Sequence, residues 1–185
     1  MEQIKKRLDH LKAEIQEDDF LLGNGLSNEA NIHIFCYEPK DEMIVRHFTD
    51  QLITDTSLKC HPIVRNLYDI FLKICADIDI LDAVSEMEAA DGSEYLLEQI
   101  HSTVGTDEFI EQLRYGKHQP GDVLILAGVG AVFPFMRVHK LLEAMQPHFP
   151  DTPILVLYPG NFDGYHLRLF NLLQPSDYYR AFNMI

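Results

Sequence analysis

The sequence predicts an α/β domain: a three-layer sandwich with a mostly parallel central sheet, Rossmann-like or P-loop-like in topology but without a Walker motif. Two observations predict it. Strand and helix patterns alternate along most of the chain, starting with a β-α-β order before residue 70. The run VLILA (123–127) is apolar at every position, as in a central parallel strand buried on both faces.

Each element follows from local pattern. Ile4, Leu8, Leu11 and Ile15 recur at helical spacing, so a helix is expected over 2–17, ending near Asp18 and Asp19. LGNGLSNEA (22–30) is turn chemistry, and NIHIFCY (31–37) reads as a short buried strand. Pro39 and Asp41 start a helix with Ile44, Val45, Phe48 and Leu52 inward. A second strand is expected over 61–66. A helix follows over 67–78, with Leu67, Phe71, Ile74 and Ile78 in register. Two short helices, 94–101 and 107–115, flank the TVGTD turn. Pro120-Gly121-Asp122 launches the 123–127 strand, and Gly128-Val129-Gly130 turns it into a helix expected over 133–146, with Phe135, Val138, Leu142 and Met145 on one face. PILVLY (153–158) is a further buried strand that Pro159-Gly160 should break, and 178–184 supplies a last, edge strand. No internal repeat, low-complexity tract or long linker interrupts 1–185, so a single domain is expected.

Composition narrows the function. The net charge is −14, with 29 acidic residues against 15 Lys and Arg, which disfavours direct nucleic-acid binding because backbone affinity grows with the number of cations. No window has the roughly 20 apolar residues of a spanning helix, and MEQIKKRLDHLKAEIQEDD has no signal-peptide pattern, so a cytoplasmic protein without a membrane partner is expected. Cys36, Cys60 and Cys75 lack metal or redox spacing and read as buried thiols. The charge is uneven: residues 1–119 hold 11 bases against 24 acids, residues 120–185 hold 4 against 5. That last third also carries 10 of the 19 Phe and Tyr residues.

The chemical motifs are incomplete. LILAGVGAVFPFMR sets a glycine turn between strand and helix, but the third dinucleotide glycine and the GK[ST] of a nucleotide loop are missing. The nine histidines are scattered singly, so no metal is expected. No G-x-S-x-G elbow appears, and the one adjacent thiol and imidazole, Cys60-His61, has no identifiable third partner, so no catalytic residue is assigned and no cofactor is expected. Asp163, in GNFDG, is explained by an Asx-turn. Arg137, Arg168 and Arg180 each sit among apolar residues. They either converge on a bound anion or pair internally or across an interface with Asp163, Glu143 and Asp177. The candidate anion or ligand cleft comprises Gly128, Gly130, Arg137, Gly160, Asp163 and Arg168, at the ends of the 123–127 and 153–158 strands.

Three runs carry a family resemblance. They are GVGAVFPFMRVHKLL (128–142), YPGNFDGYHLRLF (158–170) and YYRAF (178–182). In this order and spacing they resemble the BrxB family of BREX phage-defence systems. The residues that match include Gly128, Gly130, Phe133, Pro134, Phe135, Arg137 and His139 in the first run. In the second they include Tyr158, Pro159, Gly160, Phe162, Gly164, Leu167, Leu169 and Phe170. The resemblance implies an antiviral subunit with no established catalytic activity of its own, acting as an adaptor or assembly component. Its implied partners are other BREX proteins, PglZ, an alkaline-phosphatase-like protein, first among them. A small-ligand or nucleotide-binding domain using the strand-end cleft is the alternative.

Overall fold

The computed structural model describes residues 2–23, 31–177 and 181–184. Five parallel strands form the sheet: β1 (Ile32–Tyr37), β2 (His61–Asn66), β3 (Asp122–Ala127), β4 (Ile154–Phe162) and β7 (Phe182–Met184), in the order β2-β3-β4-β1-β7. Two shorter strands, β5 (His166–Leu169) and β6 (Ser176–Asp177), continue antiparallel from the end of β4.

Alternation along the strands assigns the two faces. Ile32, Ile34, Leu124, Leu126, Ile154 and Val156 point into one core with α4 (Leu67–Asp77), α6 (Ser93–Thr103), α7 (Thr106–Leu113) and α9 (Val138–Met145). Phe35, Tyr37, Val123, Ile125, Leu155 and Leu157 point into the other, under α1 (Glu2–Glu14), α2 (Asp18–Leu22) and α3 (Glu42–Thr54). Burial on both faces is why VLILA carries no polar residue. The expected α/β sandwich with its mostly parallel sheet is therefore what the chain forms. Among the described residues no helix is long and apolar enough to cross a membrane.

Several boundaries depart from expectation. The helix expected over 133–146 starts at Val138, preceded by the four-residue α8 (Val129–Val132). The reason is Pro134: its ring offers no N–H and disfavours helical backbone at the preceding residue. Phe133 is accordingly extended, and the Phe133–Pro134 bond is cis. Phe135 still joins the core, stacked on Phe71 at 4.3 Å between ring centroids. Pro159-Gly160 does not end β4, which runs on to Phe162. The Pro159 carbonyl accepts from the Phe170 N–H at 2.8 Å, so the strand keeps pairing where proline lacks a donor. The first helix stops at Glu14, and α2 and α5 (Val84–Asp91) are additional. Of the last strand expected over 178–184, Phe182–Met184 is described and pairs with β1, while Tyr178, Tyr179 and Arg180 lie outside the described residues, as does most of the 22–30 turn.

Candidate functional site

The second motif run builds a two-stranded ribbon that projects past the sheet. Gly160 pairs with Leu169, Asn161 with Arg168 and Phe162 with Leu167. The turn joining them is tied by Asp163, whose Oδ1 accepts from the N–H groups of Tyr165 (2.9 Å) and His166 (2.8 Å). Those two N–H groups, followed by the His166 ring, hold the Asp163 carboxyl down at about 2. His166 stands between two carboxylates, with Nδ1 3.1 Å from Asp163 and Nε2 3.7 Å from Asp177.

Because side chains alternate along β5, the ribbon has two unlike faces. Leu167 and Leu169 turn toward α8 and α9 and line a narrow slot with Phe133, Arg137, His139 and Tyr158. Tyr158 is only 3% exposed. Burial pushes its ionisation up and pushes that of His139 down. The Arg137 guanidinium lies over the Phe133 ring at 5.8 Å, and Phe133 meets Phe170 edge-on at 6.5 Å. On the opposite face His166 and Arg168 line an open polar cleft of about 560 Å³ with Glu38, Asn161, Asp163 and Asn171.

The six candidate residues thus separate. Gly160, Asp163 and Arg168 share the polar cleft, whereas Arg137 faces the slot across the ribbon. Gly130 sits under Phe170, whose ring leaves no space for a Cβ. Gly128, left-handed at φ 72°, borders a third crevice beneath α3, of about 320 Å³. Both glycines of the first turn therefore serve close packing against neighbouring side chains. Among the described residues no carboxylate is within ion-pair distance of Arg137 or Arg168, and Asp163 and Asp177 pair with His166. Arg180 lies outside the described residues. Among the described residues no group of three or more His, Cys, Asp or Glu side chains is placed to hold a metal ion.

Sequence reasoning missed Tyr165 and Leu172, which stand 69% and 85% exposed on the ribbon and just after it. It also missed Asn66, whose Oδ1 accepts from the Tyr68 N–H and caps α4. The cap was legible, since an Asn directly before an apolar-periodic run is a helix start signal. The exposed pair carried no signal, because single apolar residues next to the HLRLF run read equally well as buried.

The comparisons with known proteins agree on one family. The family described as "BREX protein BrxB" matches residues 63–184. A BREX protein BrxB of Bacillus cereus (strain H3081.97) is 32% identical, with all of this chain and 99% of that protein aligned. A BREX protein BrxB of Escherichia coli O9:H4 (strain HS) is 28% identical over 98% of this chain and 92% of its own length. No solved structure gives a significant match.

Proposed function

This chain belongs to the BrxB family of BREX phage-defence proteins, and from that premise we propose that it is a non-catalytic adaptor or assembly subunit of a BREX complex that docks PglZ through the β4–β5 ribbon. The observation that carries the reading is the ribbon itself. A motif-bearing segment leaves the sheet, holds Tyr165 and Leu172 in solvent, and sets Arg168 in the open polar cleft. Aromatic and Arg side chains on a rigid support are the residue types that anchor protein interfaces. The surrounding segment is nearly neutral, so an approaching protein meets little of the repulsion of the acidic remainder.

Mixing the purified chain with purified PglZ and following co-elution and calorimetric heat tests this. A complex is expected, and its affinity should fall in an Arg168→Glu variant. Two proteins that stay apart at micromolar concentration would sink the reading. A second reading is favoured by the volume of the polar cleft: a small anionic ligand held by Arg168 and Asn161. A thermal shift with nucleotides, with and without magnesium, is its expected signature, and a flat response to all of them removes it.

A further inference from the structure

We infer that the crevice beneath α3 is a second docking site, opposite in charge to the ribbon, and that it takes an arginine or lysine side chain of a partner protein. It goes beyond the PglZ reading, since an adaptor needs more than one contact surface and this one recognises a basic segment.

The crevice opens at the carboxyl ends of the strands, where Tyr37, Asn66, Ala127 and Leu157 approach α3. Open α/β sheets present ligands at this end. Helical spacing puts Glu42, Arg46, Thr49, Asp50 and Ile53 of α3 along one side of it. Val45, Val64 and Leu157 supply apolar wall, and Asp50 and Asp69 are exposed at the rim. The crevice has its own arginine, but that charge is already used. Arg46 Nε donates to Glu42 at 2.8 Å, and the other Glu42 oxygen accepts from the Tyr37 hydroxyl at 2.5 Å. Asp69 acts on Arg46 only at longer range, and neither Asp50 nor Asp69 makes an ion pair among the described residues.

Apolar wall below and unpaired carboxylates above match a side chain with a hydrocarbon stem and a cationic head. Arginine suits it better than lysine, because its fork satisfies two carboxylates at once. About 320 Å³ is room for one such side chain and its neighbours rather than a large cofactor. Ile53, 59% exposed at the mouth, extends apolar contact to flanking residues. The net charge of −14 favours the approach of a basic segment over an acidic one.

The test uses the full chain and a labelled, acetylated and amidated tetra-arginine peptide at low ionic strength, read by fluorescence anisotropy. Saturable binding is expected, weakened about tenfold in an Asp50→Asn/Asp69→Asn variant. A Glu86→Gln/Glu98→Gln variant, with the same loss of charge elsewhere, should change it by less than about twofold. Asp50→Lys/Asp69→Lys should lose tetra-arginine and gain tetra-glutamate. Equal weakening in the two neutralised variants would reduce the effect to general charge and overturn the proposal. So would no binding by the wild-type chain. Displacement of the peptide by equimolar magnesium would assign the crevice to a divalent cation. Self-association abolished by Asp50→Asn/Asp69→Asn would assign it to a second copy of the chain. Either result also overturns it. Because PglZ is absent from these measurements, failure here leaves the ribbon reading to its own test.

Discussion

Gly128 and Asn66 are locked together at the ends of adjacent parallel strands. Gly128 adopts left-handed backbone at φ 72°, and the Asn66 side chain occupies the space where a Cβ would stand. The same Asn66 oxygen caps α4 by accepting from Tyr68. One glycine thus lets β3 turn and lets the neighbouring helix begin.

Replacing Gly128 by Ala should therefore cost twice. Left-handed backbone in a non-glycine residue costs about 1 kcal/mol, and displacing the cap costs about 1 kcal/mol more. Urea unfolding should show the sum, and a Gly128→Ala/Asn66→Gly double variant should lose less than the two single variants together. Strict additivity would show that the two residues do not interact.

Gly160 has a different constraint. A Cβ there would overlap the Arg168 carbonyl across the ribbon. Gly160→Ala should open the β4–β5 pairing while leaving the sheet intact. Amide exchange is expected to speed up over 160–169 and to stay unchanged in β1 and β3, with weaker partner binding alongside.

The exposed pair should separate binding from stability. Tyr165→Ala/Leu172→Ser removes little buried surface, so the melting temperature should move by no more than about 2 °C. Affinity for PglZ should drop by about tenfold or more, as for anchor residues. An unchanged affinity would move the docking surface off the ribbon.

His33 makes the fold sensitive to mild acid. Its ring is packed between Phe20 and Phe182, and burial lowers its pKa from 6.5 to about 4. The folded histidine is then neutral where the unfolded one is already charged. Stability should be level above pH 6.5, fall as pH drops toward 4, and level again below that, by about 3 kcal/mol in all. Urea midpoints across that window, compared with His33→Phe, should show the slope removed in the variant.

The cysteines should be silent in the native protein. Burial raises all three thiols, Cys36 to about 12, so little thiolate exists at neutral pH. An aromatic disulfide reagent should react slowly with the folded chain and rapidly with all 3 thiols in denaturant. The shift also has an alkaline consequence. Stability is full below pH 9, where the unfolded thiol is protonated, and declines as pH rises from there toward 12.

What was legible from the chain alone is what local physics decides. Continuous apolar runs announced β3 and β4, because a strand buried on both faces admits no polar position. Periodicity announced α1, α3 and α4, and three ordered motif runs announced the family. Tertiary structure alone decided the rest. Pro159 and Gly160 look like a strand end by propensity, yet they continue β4 because β5 returns to accept and donate the missing bonds. Arg137 and Arg168 look like one cluster in sequence, yet the alternation of a ribbon sets them on opposite faces. Asp50 and Asp69 read as ordinary surface acids until the crossover from β1 to β2 laid α3 over the strand ends. Partners brought together by long-range pairing leave no trace in the spacing of residues along the chain.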